Sequence, residues 1–117
     1  MKINDVYTKE EFNEMTEVQN KYFLLKHSLT CPICANANEV YERFQSEANY
    51  PLYRLYVQKS PELSKYIEEE HGIKHESPQV IVVEGGKAVA NVSHYDITDR
   101  FLQQYNRFRA AEEKFSE

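Results

Sequence analysis

The chain predicts an α/β fold, a four-stranded mixed sheet with helices on both faces, built as one domain over residues 1–117. Three observations predict it. An apolar run, Tyr22-Phe23-Leu24-Leu25, leads through Cys31-Pro32-Ile33-Cys34 into a stretch of helical period. Two strand-like runs flank Gly85-Gly86 and so read as a hairpin. Between and around them, helix-period and strand-like segments alternate in the order α, β, α, β, α, β, β, α.

The elements follow in turn. Thr8 with Glu11 resembles a capping box, and Phe12, Met15 and Val18 then share a face, predicting a short helix ending near Gln19-Asn20. Lys21 to Lys26 is apolar, aromatic and short enough for a buried strand. After the cysteines, Ile33, Ala37, Val40, Tyr41, Phe44 and Ala48 form one inward stripe of a helix that Asn49-Tyr50-Pro51 breaks. Leu52 to Val57 reads as a strand. Ser60-Pro61 supplies an N-cap and a first-turn proline for a helix carrying Leu63, Tyr66 and Ile67, and Gly72 stops it. Gln79 to Glu84 and Lys87 to Val92 are the hairpin strands. Thr98 caps a last helix with Phe101, Leu102, Tyr105 and Phe108 on its core face, and the charged tail from Ala111 should fray. Two strands joined by a helix should be parallel, through a right-handed crossover.

Composition narrows the function. The 117 residues carry 14 Lys+Arg against 19 Asp+Glu, a formal charge of -5, with no basic run to track phosphates, so a nucleic-acid partner is disfavoured. The N-terminus lacks the apolar core of a secretory signal, and no stretch approaches the roughly 20 apolar residues that span a bilayer. A cytoplasmic protein without a membrane partner is expected. Thiols there are mostly reduced, so two cysteines three positions apart suggest redox chemistry or metal binding before a structural staple.

The cysteine pair carries the chemistry. With Pro32 at the first helical position, Cys31 sits at the cap, where unpaired N–H groups of Ile33 or Cys34 and the helix dipole favour a thiolate. Cys34 lies one turn further in. Cys31 is therefore the expected nucleophile and Cys34 the resolving thiol of a thiol-disulfide oxidoreductase. His75-Glu76-Ser77-Pro78 precedes the hairpin; Pro78 reads either as a strand-leading proline or as a cis-proline loop in which Ser77 and Pro78 meet the substrate. His27 and His94 could each stabilise a thiolate or donate a proton to a leaving thiol, or else be solvated or packed. Lys26 could meet a substrate carboxylate. A zinc alternative uses Cys31, Cys34, His71 and His75, but 36 residues separate Cys34 from His71, against about 12–15 in the familiar finger spacing. No metal or other cofactor is expected.

These residues also carry a resemblance. The Cys-Pro-Ile-Cys at a helix start, Ser77-Pro78 before a hairpin and the order of elements resemble the thioredoxin-like fold, here with an extra N-terminal helix. More narrowly, Phe23-Leu24-Leu25-Lys26-His27-Ser28-Leu29-Thr30-Cys31-Pro32-Ile33, Gly72-Ile73-Lys74-His75-Glu76-Ser77-Pro78-Gln79-Val80 and Ser93-His94-Tyr95-Asp96-Ile97-Thr98 are similar to the bacilliredoxin C (YtxJ-like) family. The resemblance spans about Thr8 to Tyr105 and is distinct from thioredoxin proper, which carries Trp-Cys-Gly-Pro-Cys. It implies a glutaredoxin-like enzyme that strips bacillithiol from S-bacillithiolated client proteins, with bacillithiol as thiol co-substrate, Cys31 as nucleophile and Pro78 as the fold's cis-proline. Many family members have serine where this chain has Cys34 and are called monothiol; Cys34 departs from that pattern. A general dithiol protein-disulfide reductase and a non-catalytic or metal-holding module on the same fold are the alternatives.

Overall fold

The structure, a computed structural model, describes residues 1–107; the expected core position Phe108 and the tail from Ala111 lie outside the described residues. The elements are β1 (Ile3–Asp5), α1 (Lys9–Thr16), β2 (Lys21–His27), α2 (Pro32–Phe44), β3 (Leu52–Tyr56), α3 (Pro61–His71), β4 (Gln79–Glu84), β5 (Lys87–Ser93), a single 3₁₀ turn (His94–Asp96) and α4 (Asp99–Tyr105). They form a five-stranded sheet in the order β1-β3-β2-β4-β5. β2 and β3 are parallel, as a helix crossover requires, and β4 runs antiparallel to β2. The α/β thioredoxin-like expectation holds.

The strand count is corrected from four to five. β1 has three residues and pairs in parallel with β3, Ile3 opposite Leu52. It is an edge strand held by tertiary contacts: Asp5 pairs with Arg54 at 2.7 Å, and Val6 just beyond it is fully buried. So short and polar a segment carries no alternation to read.

Strand alternation sorts the core into two layers. On one face Phe23 and Leu25 of β2, Leu52 of β3, and Val80 and Val82 of β4 pack against Ala37, Tyr41 and Phe44 of α2 and Leu102 of α4. On the other, Tyr22, Leu24, Tyr53, Leu55, Ile81 and Val83 pack against Phe12 of α1 and Leu63 and Ile67 of α3. β2 is central and buried at every position, which explains its near-continuous apolar sequence. In the hairpin the register steps from Val82↔Ala90 to Val83↔Ala88, so Val89 is the extra residue of a bulge. The bulge returns Ala88 to the α1/α3 face while Ala90 and Val92 serve the other.

The caps mostly act as the residues suggest. Thr8 and Thr98 accept from the amides of Glu11 and Phe101 at 3.0 and 3.1 Å. Gly72 ends α3 at φ 64°, and Gly85 and Gly86 turn the hairpin at φ 60° and 80°, where a side chain would be strained. Two boundaries shift and one cap goes unmade. α1 stops at Thr16, whose hydroxyl bonds back to the Phe12 carbonyl, leaving Val18 77% exposed beyond the helix. α2 ends at Phe44, and Ala48 is reached by turns. Ser60 occupies the N-cap position of α3, but its hydroxyl makes no capping bond. No helix among the described residues is long and apolar enough to cross a membrane.

Candidate active site

Cys31 and Cys34 sit where β2 gives way to α2. Cys31 is the N-cap of α2 with extended backbone (φ -113°, ψ 123°) and Pro32 follows in the first turn. Its carbonyl accepts from the Cys34 and Ala35 amides at 3.1 and 3.3 Å, while its sulfur accepts from the Cys34 amide at 3.3 Å. A cysteine thus takes the part that serine or aspartate plays at ordinary caps. The Cys34 thiol above all, and to a lesser degree the backbone amides of Cys34 and Ile33, hold Cys31 below the usual thiol range against the opposing effect of burial. Cys31 is partly exposed and Cys34 fully buried, both as free thiols. Burial, then the bond with Cys31, pushes the Cys34 thiol up.

The segment before β4 closes over this pair. Ser77-Pro78 is a cis peptide bond, and the Ser77 hydroxyl lies 3.7 Å from the Cys34 sulfur. The Pro78 carbonyl accepts from the His94 amide at 3.0 Å. His94 itself is at φ 55°, an uncommon conformation for a non-glycine residue, and its Nε2 is 3.4 Å from a Glu76 carboxylate oxygen. The 3₁₀ turn that starts at His94 packs beside α2. Ser77, Pro78 and His94 therefore gather on the cysteine end of the sheet.

His27 and Lys26 are placed elsewhere. His27 is buried, its ring set edge-to-face against Tyr56 at 5.4 Å, and no hydrogen bond joins it to either cysteine. Burial, followed by the nearby Arg54 charge, holds it below the usual imidazole value. Lys26 cannot meet a substrate carboxylate: it is 0% exposed on the α3 side of β2, donating to the Ser64 carbonyl at 3.2 Å and lying 3.3 Å from His75 Nδ1. The Ser64 hydroxyl also reaches His75 Nδ1 at 3.2 Å, and the His75 amide donates to Glu68 at 3.0 Å. This buried knot anchors the approach to Ser77-Pro78. A lysine inside so apolar a strand was its one sequence signal. The Ser77–Cys34 contact had none, because it joins positions 43 residues apart.

His75 is thus committed to Lys26 and Ser64, and His71 belongs to the last turn of α3. Among the described residues no three His, Cys, Asp or Glu side chains gather as a metal site. A hollow of about 550 Å³ near Phe12, Tyr22, Tyr66 and the hairpin turn lies at the opposite end of the sheet from the cysteines.

Comparison with known proteins agrees with this geometry. A family model described as monothiol bacilliredoxin BrxC matches residues 4–102. A thioredoxin-fold protein described as a candidate oxidoreductase is 37% identical, covering 87% of this chain and 91% of its own, with a TM-score of 0.82. Thioredoxin of Schistosoma mansoni is similar in fold at a TM-score of 0.73 and 12% identity, over 89% of this chain and 95% of that one. Oxidised thioredoxin of Plasmodium falciparum gives 0.72 at 14% identity, over 90% and 99%.

Proposed function

Because the chain belongs to the monothiol bacilliredoxin BrxC family, as a thioredoxin-fold oxidoreductase with a C-x-x-C pair, we propose that it removes bacillithiol from S-bacillithiolated proteins through Cys31, with Cys34 as the resolving thiol. One observation carries the reading: the sulfur of the accessible Cys31 caps α2 and accepts the Cys34 amide, with the buried Cys34 thiol beside it.

The chemistry follows from that pair. The Cys31 thiolate attacks the bacillithiol-side sulfur of the mixed disulfide; the new S–S bond forms as the client thiolate leaves and takes up a proton. Cys34 then attacks the Cys31 sulfur, bacillithiol departs as a thiol, and a Cys31–Cys34 disulfide remains. One helical turn between the cysteines suits that bond with little backbone movement. A thiol reductant must return two electrons to reopen it.

Client docking falls to the Ser77-Pro78 loop. The Pro78 carbonyl is taken by the His94 amide, whereas no backbone hydrogen bond among the described residues engages Ser77. The Ser77 backbone is thus the group left to pair with an extended client segment, and His94, beside Glu76, flanks it as a proton donor to the leaving thiol. His27, closed in by Tyr56, is given no such contact.

Intact mass spectrometry tests the assignment. Mixed with a bacillithiolated model client, Cys34→Ser should accumulate a bacillithiol adduct on Cys31, the wild type should end as an internal disulfide, and Cys31→Ser should leave the client modified. Removal of bacillithiol by Cys31→Ser would overturn the reading. A wild type that reduces client disulfides but ignores bacillithiol would make it a general dithiol reductase.

A further inference from the structure

The resolving step sets a requirement that Cys31 does not meet. Cys34 attacks only as a thiolate, and its side chain is fully buried. While Cys31 is charged, the Cys34 thiol donates to it. Once Cys31 is tied into a mixed disulfide, that acceptor is neutral, and charge must develop on a buried sulfur. A buried charge needs donors.

Few groups face that sulfur. Cys31 is the titratable one, on the same helix; the Ser28 backbone approaches from the end of β2, and the Ser77 hydroxyl from the loop. The charged side chains of the surrounding elements are engaged otherwise. His94 pairs with Glu76, Arg54 with Asp5 and Glu42, and Lys26 with Ser64 and His75 on the far face of the sheet. The His27 ring lies edge-to-face against Tyr56; its buried Nδ1 has no hydrogen-bond partner among the described residues, and no hydrogen bond joins it to Cys34. The Ser28 hydroxyl, at the end of β2, accepts from Gln58 at 2.6 Å and meets the Thr30 hydroxyl at 3.4 Å. The single side-chain bond that Ser77 makes among the described residues is to Cys34.

We propose that Ser77 is a positioning residue for resolution: its hydroxyl, 3.7 Å from the Cys34 sulfur, donates to that sulfur as it becomes the attacking thiolate and keeps it turned toward the Cys31 disulfide. This goes beyond a substrate contact for the loop and rests on Cys34 being the resolving thiol. In the step itself the Cys34–Cys31 bond forms and the bond from Cys31 to the departing sulfur breaks. The cysteine pair is oxidised, the departing sulfur is reduced and takes up the proton that Cys34 loses. Ser77 gains and loses no atom.

A chromogenic nitrobenzoate disulfide separates the two steps, since it releases one coloured thiolate when Cys31 attacks and a second when Cys34 resolves. Below the Cys34 midpoint, Ser77→Ala should slow the second release relative to the first by about three- to fivefold and raise that midpoint by about one pH unit. Above the midpoint the two profiles should meet or cross, because a less acidic thiolate is the better nucleophile once formed. Ser77→Thr, which keeps the hydroxyl, should restore both. An unchanged second release in Ser77→Ala would overturn the proposal. So would a slowing of equal size at every pH that Ser77→Thr does not rescue, which would mark a packing role. If the wild type gives the first release alone, Cys34 does not resolve, and the parent reading falls together with this one; two wild-type releases with an indifferent Ser77→Ala overturn only the role of Ser77.

Discussion

Replacing Lys26 with methionine should change stability little, although it removes a fully buried charge from the core strand. The ammonium is fully buried, bonds to the Ser64 carbonyl and His75 Nδ1, and belongs to no ion pair among the described residues. Desolvating such a group costs several kcal/mol even after relaxation, and burial accordingly pushes Lys26 below its ordinary value, with Glu68 pulling the other way. Two hydrogen bonds from a charged donor return about 1.5–3 kcal/mol each, so the opposing contributions nearly cancel. Lys26→Met keeps the unbranched stem and orphans neither partner: His75 Nδ1 retains the Ser64 hydroxyl, and the Ser64 carbonyl keeps its place in the helical ladder of α3. The expected change at pH 7 is within about 1 kcal/mol, tilted toward gain, or no more than about 4–8 °C in Tm. Lys26→Ala removes the same charge but leaves a cavity, and should lose about 2–4 kcal/mol. The pH dependence has a defined sign. With its folded value depressed, Lys26 binds fewer protons in the folded than in the unfolded state between that value and 10.5. Its destabilising contribution is therefore complete at low pH and fades as pH climbs toward 10.5. The comparison should shift in favour of wild type between pH 7 and pH 10. Urea denaturation of the three proteins at both pH values is the assay. A methionine variant as unstable as the alanine variant, or a shift in the opposite sense, would refute the reasoning.

Two other outcomes follow from the site. Alkylation by iodoacetamide against pH, on Cys34→Ser and Cys31→Ser, should place the Cys31 midpoint below and the Cys34 midpoint above the ordinary thiol value of 9.0; equal, high midpoints would remove the distinction between nucleophile and resolving thiol. Chelation should leave the helix signal in circular dichroism unchanged, because no metal binding energy is then part of the folding energy; stoichiometric zinc together with chelator-induced unfolding would show the opposite.

Much of the architecture was legible because local chemistry and tertiary need agree. Gly85-Gly86 supplies two positive φ angles where the hairpin needs them, and Thr8, Thr98 and Gly72 each satisfy a helix end that packing also ends there. Where the two part company, the sequence misled. Val18 continues the helical stripe on paper, but Thr16 bonds back to Phe12 and the chain turns to reach β2. Ser60 has the identity and position of a cap, yet at φ -137°, ψ 59° its hydroxyl does not reach the α3 amides and is buried without a partner. β1 was invisible because its stability comes from β3 and from Asp5 on Arg54, not from its own three residues. At the site, the capping cysteine could be read because Pro32 and Cys34 are its neighbours in sequence. Lys26–His75 and Ser77–Cys34 could not, since each joins distant segments.

The monothiol description of the family and the second cysteine of this chain are compatible on physical grounds. Position 34 supplies two things to Cys31: a backbone amide at 3.3 Å, which any residue except proline would provide, and a side-chain donor. A serine there would retain both, its O–H replacing the S–H, and could still meet Ser77 across the same gap. The groups that hold Cys31 below the usual thiol range are thus present whether residue 34 carries oxygen or sulfur, and the fold needs no adjustment at a site this buried for a change of one atom. What sulfur adds is a second thiol one turn from the first. On the proposed reading Cys34 extends the reaction from adduct formation to internal resolution without altering the first step, so that the change from one regime to the other would lie in a single side chain and the hydroxyl that faces it.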